Sequence, residues 1–345
     1  KLSATLLEEF YTENDSAIKL WKGFRLLAID GSRITLPLTE GLKAIYGSTK
    51  NQTGSSIVQA RSSVLYDVEN KYVLDGILSP LSRGERDLAL SHLSHCKPND
   101  LLIYDRGYPS YDFIHQHQIR KLDFLMRVKT SFSRLTIDFE KSQKKSCITE
   151  MYPGKNASLS GRDYDRKTPI KIRLLRVQLP KGQVEILMTS LLDNTKYPAI
   201  LFKKLYFKRW GVETFYDELK NKLKLEHFSG YSNQSIQQDF YATLFVSNVQ
   251  TLIVSELEEE LTPNQIKKKY SYKVNTNLSY GFLKNRVIQL FMNENSTENK
   301  MVDELKILFR SHLIPIRPNR NYERKLGQYR KRLKPKVTKN QKDSI

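Results

Sequence analysis

Short apolar runs alternate with helical patterns along the first third of the chain. Residues 85–95 and 110–120 have the spacing of apolar and polar positions that is typical of helices, and Ser110 is placed to cap the second of them. Three runs are predominantly apolar, as expected of strands buried on both faces of a sheet: residues 24–29, 101–104 and 124–128. Strands that alternate with helices predict an α/β sheet.

Two of these runs are followed at once by an acidic residue and a turn-forming glycine. Residues 24–29 precede Asp30-Gly31-Ser32, and residues 101–104 precede Asp105-Arg106-Gly107-Tyr108. We therefore expect Asp30 and Asp105 at the carboxyl ends of two separate strands, with a new strand over residues 34–38 after the first turn. The alternative is that either aspartate is an ordinary turn or cap residue.

The changes of pattern along the chain predict six segments. Residues 63–66 and 72–78 have the pattern of a β-hairpin, and residues 235–259 have the pattern of a long buried helix. The first segment, over 1–22, is a helical lead-in that could be a remnant of an N-terminal DNA-binding region. The others are a catalytic core over 23–129 and 197–260, a β-rich insertion over 130–196, a helical C-terminal region over 261–316 with helices at 263–270 and 280–292, and a basic tail over 317–345.

Residues 205–220 predict one amphipathic helix with a chemical face. At roughly 100° per residue, Tyr206, Arg209, Glu213 and Lys220 share a narrow stripe about 21 Å long, which suits an extended polyanion better than a small ligand. Trp210 borders the stripe, where it can stack on a base or pack into the core. The apolar residues lie on a separate, core-facing arc: Leu205, Val212, Phe215, Leu219 and Leu223.

The charge of the chain narrows the class of partner. Among 345 residues, 57 Lys and Arg against 37 Asp and Glu give a net charge of +20 and a pI of about 9.7, which favours nucleic acid over a membrane or an acidic small molecule. No apolar run reaches the roughly 18 residues of a membrane span. The two cysteines, Cys96 and Cys147, lack metal-ligand spacing, which argues against structural zinc and fits a reducing cytosol.

One glutamate on the stripe and two strand-end aspartates form a candidate metal-binding set. Asp30, Asp105 and Glu213 offer the hard carboxylate oxygens that Mg²⁺ or Mn²⁺ prefers, and two such ions about 3.5–4 Å apart can assist displacement at phosphorus. For the cationic stripe residues Arg209 and Lys220, the alternative is a solvated face that pairs with Asp217 or Glu218.

The motifs resemble those of one family of mobile-element proteins. The pattern Tyr206-(2)-Arg209-(3)-Glu213-(6)-Lys220 is similar to the YREK signature of bacterial cut-and-paste DDE transposases of the insertion-sequence-four family. The sequences around Asp30 and Asp105 are similar to that family's first and second acidic motifs, in the same order. The resemblance extends from about residue 20 to about residue 325 and includes the basic segment that begins at Arg317.

The resemblance implies a fold, a chemistry and a set of partners. We expect a ribonuclease-H-like mixed sheet with flanking helices, an inserted β-rich segment and a helical C-terminal part. Asp30, Asp105 and Glu213 would hold two Mg²⁺ or Mn²⁺ ions, and the protein would act on double-stranded DNA as a homodimer in a synaptic complex in the bacterial cytoplasm, associated with the nucleoid. The residues expected to contact DNA are Tyr206, Arg209, Lys220 and Trp210, and in the tail Arg317, Arg320, Arg324 and Lys325.

Several alternatives stay open at the level of sequence. The chain could be a related metal-dependent nuclease that does not transfer strands, a non-catalytic domesticated DNA-binding protein, or an RNA-associated basic protein. The tail could be a solvated tail without a partner or a segment that orders on DNA. An excision step through a DNA hairpin is in doubt because Trp21 and Trp210 are the only tryptophans and neither lies in the insertion, although Tyr152 or Tyr164 could substitute.

Overall fold

The computed structural model describes residues 2–13, 18–50, 54–155, 157–179, 183–265, 270–292 and 297–317. The strands are β1 (Arg25–Leu36), β2 (Ser48–Lys50), β3 (Ser56–Asp67), β4 (Val73–Pro80), β5 (Asp100–Tyr104), β6 (Asp123–Val128), β7 (Ser146–Met151), β8 (Ile170–Gln178), β9 (Val184–Thr189), β10 (Tyr272–Val274) and β11 (Leu313–Pro315). The helices are α1 (Leu2–Glu13), α2 (Glu40–Tyr46), α3 (Glu85–His92), α4 (Tyr111–Ile119), α5 (Arg134–Lys141), α6 (Leu201–Phe207), α7 (Trp210–Asp217), α8 (Asn233–Gln265), α9 (Thr276–Lys284), α10 (Val287–Met292) and α11 (Thr297–Ser311).

The chain divides into two compact units. The sheet unit comprises Ala4–Ser32 and Arg61–Phe215, and the helical unit comprises Lys1–Ser3, Arg33–Ala60 and Tyr216–Ile345, each as far as its residues are described. This division differs from the six consecutive segments predicted from the sequence, because compactness depends on contacts between residues that are distant along the chain. The predicted segment boundaries therefore remain a proposal.

The sheet unit is built on a mixed sheet. Its strands follow the order β3-β1-β5-β6-β9-β8-β7, and β4 pairs with β3. Strand β5 runs parallel to both β1 and β6, whereas β9 is antiparallel to β6 and β8. A central strand with a hairpin on one side and two parallel strands on the other is the ribonuclease-H-like arrangement that was predicted.

Apolar residues cover both faces of this sheet. Successive side chains of a strand point to opposite faces, so Leu102 and Tyr104 of β5 join one hydrophobic cluster and Leu101 and Ile103 join the other. The first cluster includes residues of α3 and α4, and the second includes Phe202 and other residues of α6. The continuous apolar run at 101–104 is thus explained by burial on both sides.

The first predicted turn is wrong. Residues 24–29 and 34–38 were expected to form two strands separated by Asp30-Gly31-Ser32, but β1 is continuous from Arg25 to Leu36 and Asp30 lies inside it. Glycine and serine favour turns through local preferences of about 1 kcal/mol or less. Pairing with neighbouring strands outweighs that preference here.

The segment predicted as a β-rich insertion contains strands β7, β8 and β9, together with helix α5. These strands continue the main sheet, because β9 pairs with β6 through Arg127 and Leu187. Their alternating apolar residues, such as Ile172 and Leu174, are buried with the residues of the first cluster. The predicted strands are present, and they extend the sheet of the core.

The helical unit contains α8, which covers the predicted helix over 235–259. Helices α9 and α10 replace the single helix expected over 280–292. The helix expected over 263–270 falls partly on residues outside the described ranges, and α8 ends at Gln265. Helix α11, with Leu305 and Phe309 buried, was not predicted. In the part of the chain that the structure describes, no helix is both long and apolar enough to cross a membrane.

Candidate active site

Strand register aligns the first two predicted acidic residues. Strands β1 and β5 pair in parallel with Ala28 opposite Ile103. Asp30 and Asp105 each lie two residues further along the sequence than this pair. The same difference of 75 in residue number therefore brings Asp30 level with Asp105. Because level residues on adjacent strands project from the same face of a sheet, the two carboxylates occupy one edge of the apolar core.

Both aspartates also accept hydrogen bonds from neighbouring main-chain groups. The Gly31 N–H donates to Oδ1 of Asp30 at 2.9 Å, and the Gly107 N–H donates to Oδ1 of Asp105 at 2.8 Å. Asp105 directly follows β5, as predicted, and its contact with Gly107 makes the turn that leads towards α4. The turn role is therefore present for Asp105, whereas Asp30 lies inside β1. In both residues the main-chain hydrogen bond holds the carboxylate in one orientation.

Gly107 keeps space for the carboxylate of Asp105, so we expect Gly107→Ala to disturb the site while leaving the fold intact. A Cβ at this position would lie 3.1 Å from Oδ1 of Asp105, which requires the carboxylate to shift. A misplacement of this kind should lower metal-dependent DNA cleavage by about 10- to 100-fold, as measured with purified protein.

Gly154→Ala is the matched control for this prediction. A Cβ at Gly154 has no atom within 4 Å, so cleavage and the unfolding temperature should both stay at the wild-type level. Equal cleavage by the Gly107 and Gly154 variants would contradict the role assigned to the turn.

The segment expected to form one helix is divided. Helix α6 ends at Phe207 and α7 begins at Trp210, and between them the N–H groups of Lys208, Arg209 and Gly211 donate to carbonyls three residues back. A π-helical turn, Glu218–Lys222, then follows α7. Because these tight and wide turns change the rotation per residue, the stripe predicted at 100° spacing from Tyr206 to Lys220 is not continuous.

The core-facing arc of this segment agrees better with the prediction. Leu205, Val212, Phe215 and Leu219 are buried, and Leu223 is half-buried. The aromatic ring of Phe215 stacks on Tyr66, with ring centroids 4.8 Å apart. This packing anchors α7 to the strand that carries Tyr66 and so positions Glu213 on the opposite side of the helix.

Two residues predicted as DNA contacts are buried. Arg209 is 5% exposed and Tyr206 is 6% exposed. The guanidinium of Arg209 donates to Oε1 of Glu213 at 2.5 Å, so the neighbouring acid of Arg209 is the predicted metal ligand itself. Asp217 and Glu218, which were the alternative partners, are bonded elsewhere.

Asp30 is subject to the charges of the other two acidic residues. Burial, in the first place, and the charges of Asp105 and Glu213 raise the pKa of Asp30 to about 6, against the lowering effect of the Gly31 N–H and the Arg209 guanidinium. The carboxylates are therefore close enough to repel. Arg209 is the cation that acts on Asp30 most directly.

This cluster fits a divalent cation in its chemistry. Half-buried carboxylates that repel one another are stabilised by a hard cation, and oxygen is the ligand that Mg²⁺ prefers. Within the described residues, no three His, Cys, Asp or Glu side chains already converge as a complete ligand set. Glu213 is bonded to Arg209 and would have to turn from it to join the two aspartates.

The remaining predicted DNA contacts are distributed over both units. Trp210 is 44% exposed in the sheet unit, with the Arg209 guanidinium 5.4 Å from its ring, so the core-packing alternative is wrong. Lys220 lies in the helical unit and donates to the main-chain carbonyl of Arg33 at 2.7 Å. Arg317 is exposed. The other tail residues, Arg320, Arg324 and Lys325, lie outside the described ranges.

The two tyrosines considered as substitutes for an inserted tryptophan differ in accessibility. Tyr152 is exposed and its hydroxyl donates to Glu150. Tyr164 is buried and its hydroxyl donates to Asp112 at 3.2 Å. Only Tyr152 is therefore accessible to a base as the structure stands.

Sequence reasoning missed one residue at the same edge of the sheet. Arg127 lies near the end of β6, and its guanidinium donates to Glu185 of β9 at 2.6 Å. The signal that could have found it is the one used for the aspartates, since residues 124–128 were predicted as a strand. That signal is a cation at the end of an otherwise apolar strand.

The strand order defines a protein of the ribonuclease-H-like class, in which Asp30 lies in β1 and Asp105 directly follows β5. The chain belongs to the family described as the transposase DDE domain, which matches residues 21–249. That match contains Asp30, Asp105 and Glu213. The class inferred from topology and the family found by sequence comparison therefore agree.

Individual relatives are distant in sequence. The chain is 24% identical over 275 residues to the transposase InsG for insertion sequence element IS4 of Escherichia coli (strain K12), covering 71% of this chain and 56% of the relative. It is 24% identical over 147 residues to the putative transposase y4zB of Sinorhizobium fredii (strain NBRC 101917 / NGR234), covering 41% of this chain and 39% of the relative. The chain thus spans about half the length of these curated relatives.

One solved structure with a similar chain is the piggyBac transposase synaptic complex with hairpin DNA. Its TM-score with this chain is 0.45 at 11% sequence identity, and the match covers 88% of this chain and 63% of that chain.

Proposed function

We propose that this chain is the catalytic part of a DNA transposase, which cuts DNA at the ends of a mobile element and joins the freed 3′ ends to target DNA. The observation that carries the proposal is the alignment of Asp30 with Asp105 on parallel strands, with Glu213 near enough to act on Asp30. Membership of the transposase DDE domain family supports it.

Asp30, Asp105 and Glu213 would hold two Mg²⁺ or Mn²⁺ ions. When bound, such ions activate the attacking oxygen and stabilise the leaving oxygen in an in-line displacement at phosphorus. The chain's own contribution is orientation: the main-chain N–H groups of Gly31 and Gly107 hold the aspartates, and packing of α7 holds Glu213. Cleavage by water and strand transfer by a 3′-hydroxyl are the same displacement with different nucleophiles.

The DNA-binding proposal rests on charge, on two buried side chains beside the carboxylates and on exposed side chains. The net charge of +20 favours a polyanion. Arg209 and Tyr206 would contact a phosphate close to the site, and Trp210 is exposed enough to stack on a base. Lys220, Arg317, Arg320, Arg324 and Lys325 are further proposed phosphate contacts. The working unit would be a homodimer that pairs two element ends, in the nucleoid of a bacterial cell.

The decisive experiment supplies the purified protein with Mg²⁺ or Mn²⁺, a supercoiled target plasmid and a DNA duplex that contains the DNA flanking the coding sequence. We expect metal-dependent cuts at the element ends, followed by joined products in which an end is attached to the plasmid. Cuts without joined products would identify a nuclease. Absence of any cut with either metal would contradict the proposal.

A further inference from the structure

Arg127 lies in the same row as the two aspartates. Strands β5 and β6 pair in parallel with Tyr104 opposite Met126, so one step further brings Asp105 level with Arg127. The row across β1, β5 and β6 is therefore Asp30, Asp105 and Arg127. A cation at the end of this row faces the same edge of the sheet as the carboxylates.

Three buried polar atoms at this edge lack a hydrogen-bond partner among the described residues. They are the Tyr206 hydroxyl and the Nε atoms of Arg127 and Arg209. Burial raises the pKa of Tyr206, whereas the charges of Arg209 and Arg127 and a contact with the Arg209 guanidinium lower it, which places the three side chains close together. Buried polar groups without partners are uncommon and costly, so three together indicate that an acceptor is missing.

Each of the two arginines is held by a glutamate. Arg127 donates to Glu185 at 2.6 Å and Arg209 donates to Glu213 at 2.5 Å. Neither pair is fully buried, because the Arg127 and Glu185 side chains retain 27% and 21% exposure. A phosphate could therefore reach Arg127 and compete with Glu185, since arginine binds phosphate and carboxylate oxygens with the same fork of donors.

We propose that Arg127, Tyr206 and Arg209 form a phosphate-binding pocket beside the carboxylates, and that Arg127 exchanges Glu185 for a DNA phosphate when the substrate binds. This inference rests on the proposed function, because the phosphate is that of the DNA strand to be cut. It adds Arg127 as a substrate-binding residue and Glu185 as the group that occupies it in the free protein. The phosphate supplies the acceptor for the three unpartnered donors.

The competing explanation is structural. Arg127 and Glu185 lie on adjacent strands, and a cross-strand ion pair can serve only to join β6 to β9. The two explanations predict opposite results for Glu185→Gln. A structural pair would leave DNA affinity unchanged when broken, whereas a competitor for the phosphate site would raise affinity when removed.

The test measures binding of the full chain to a labelled duplex from the flanking DNA, in EDTA, so that no metal-dependent step contributes. We expect Arg127→Gln to bind about 10- to 100-fold more weakly, with a salt dependence shallower by about one ion. Glu185→Gln should bind about 3- to 10-fold more tightly. The matched control is Arg134→Gln, which removes an arginine that is also paired with a carboxylate, Asp138, but is 81% exposed on α5.

Unchanged affinity in both Arg127→Gln and Glu185→Gln would overturn the proposal, as would an equal loss in Arg134→Gln and Arg127→Gln. Thermal unfolding shows whether Arg127→Gln is folded. If it is not, the change in DNA affinity of Glu185→Gln decides between the two explanations. The proposed function is judged separately, by Mg²⁺-dependent cleavage with the wild-type protein. If the wild-type protein cleaves DNA but Arg127→Gln and Glu185→Gln both bind DNA with wild-type affinity, the pocket is refuted and the transposase assignment stands.

Discussion

Asp30→Asn is expected to abolish DNA cleavage and, at the same time, to stabilise the metal-free protein at neutral pH. Loss of one ligand charge from a metal site that supplies several kcal/mol to the reaction should lower the cleavage rate by at least about 1000-fold. Stability should rise because the carboxylate of Asp30 is buried near two like charges in the metal-free protein. Asp30→Asn therefore distinguishes an effect on DNA cleavage from an effect on the stability of the fold.

The stability effect has a defined dependence on pH. The pKa of Asp30 is raised from 3.8 to about 6 by folding, so the folded chain holds more protons than the unfolded chain between these values. The contribution of Asp30 to the free energy of unfolding thus falls as pH rises from about 4 to about 6 and stays low above that. Asp30→Asn should recover up to about 3 kcal/mol at pH 7 and almost nothing at pH 4.

Denaturant unfolding in EDTA at the two pH values measures this effect. Asp100→Asn is the contrasting control, because Asp100 accepts two hydrogen bonds from Arg25, at 2.8 and 2.7 Å, in the same pair of strands. Breaking that buried pair should cost about 3–5 kcal/mol. An Asp30→Asn protein that is less stable than wild type at pH 7 would show that the carboxylates are not held in mutual repulsion. Added Mg²⁺ should stabilise wild type more than Asp30→Asn.

The second large effect is expected for Glu213→Gln. The amide matches the carboxylate in shape and can still accept the hydrogen bond from Arg209, but it brings no charge to a metal ion. Cleavage should fall by at least about 1000-fold, whereas binding of the flanking-DNA duplex in EDTA should be retained. Retained binding follows because Arg209 and Tyr206 keep their positions.

Cleavage and binding assays on the same preparation check this prediction. Glu218→Gln is the matched control: Glu218 also pairs with a cation four residues away, with 2.6 Å between its Oε1 and Nζ of Lys222. That variant should cleave normally. Normal cleavage by Glu213→Gln would remove Glu213 from the proposed site, and loss of binding by Glu213→Gln would show that its negative charge is needed to hold Arg209 in place.

Much of the fold followed from local patterns. The apolar runs at 24–29, 101–104 and 124–128 lie in β1, β5 and β6, and Ser110 caps α4 by accepting from the Phe113 N–H. The order of strands and helices predicted an α/β sheet, and the spacing of Asp30, Asp105 and Glu213 resembled one family. These inferences succeeded because burial on both faces requires continuous apolar residues, whichever strands become neighbours.

Other features could not be read from local pattern. Gly31 and Ser32 predicted a turn but lie in the middle of β1, because strand pairing outweighs their local preference. The stripe from Tyr206 to Lys220 assumed one regular helix, whereas the chain tightens at Lys208 and widens after Asp217. Tyr206 and Arg209 were placed on a stripe separate from the core-facing arc, and both are buried.

The amino-acid sequence by itself determined the apolar strands, the acidic residues that follow or interrupt them, the basic character of the chain and its family. Tertiary structure alone decided the strand register that brings Asp30, Asp105 and Arg127 to one edge of the sheet, the pairing of Arg209 with Glu213, and the three polar atoms beside them that have no hydrogen-bond partner among the described residues. The physical reason is the range of the interactions. The periodicity of apolar and polar residues reflects interactions within a few consecutive residues. Strand register, in contrast, brings together residues 75 positions apart and determines which charged side chains are neighbours.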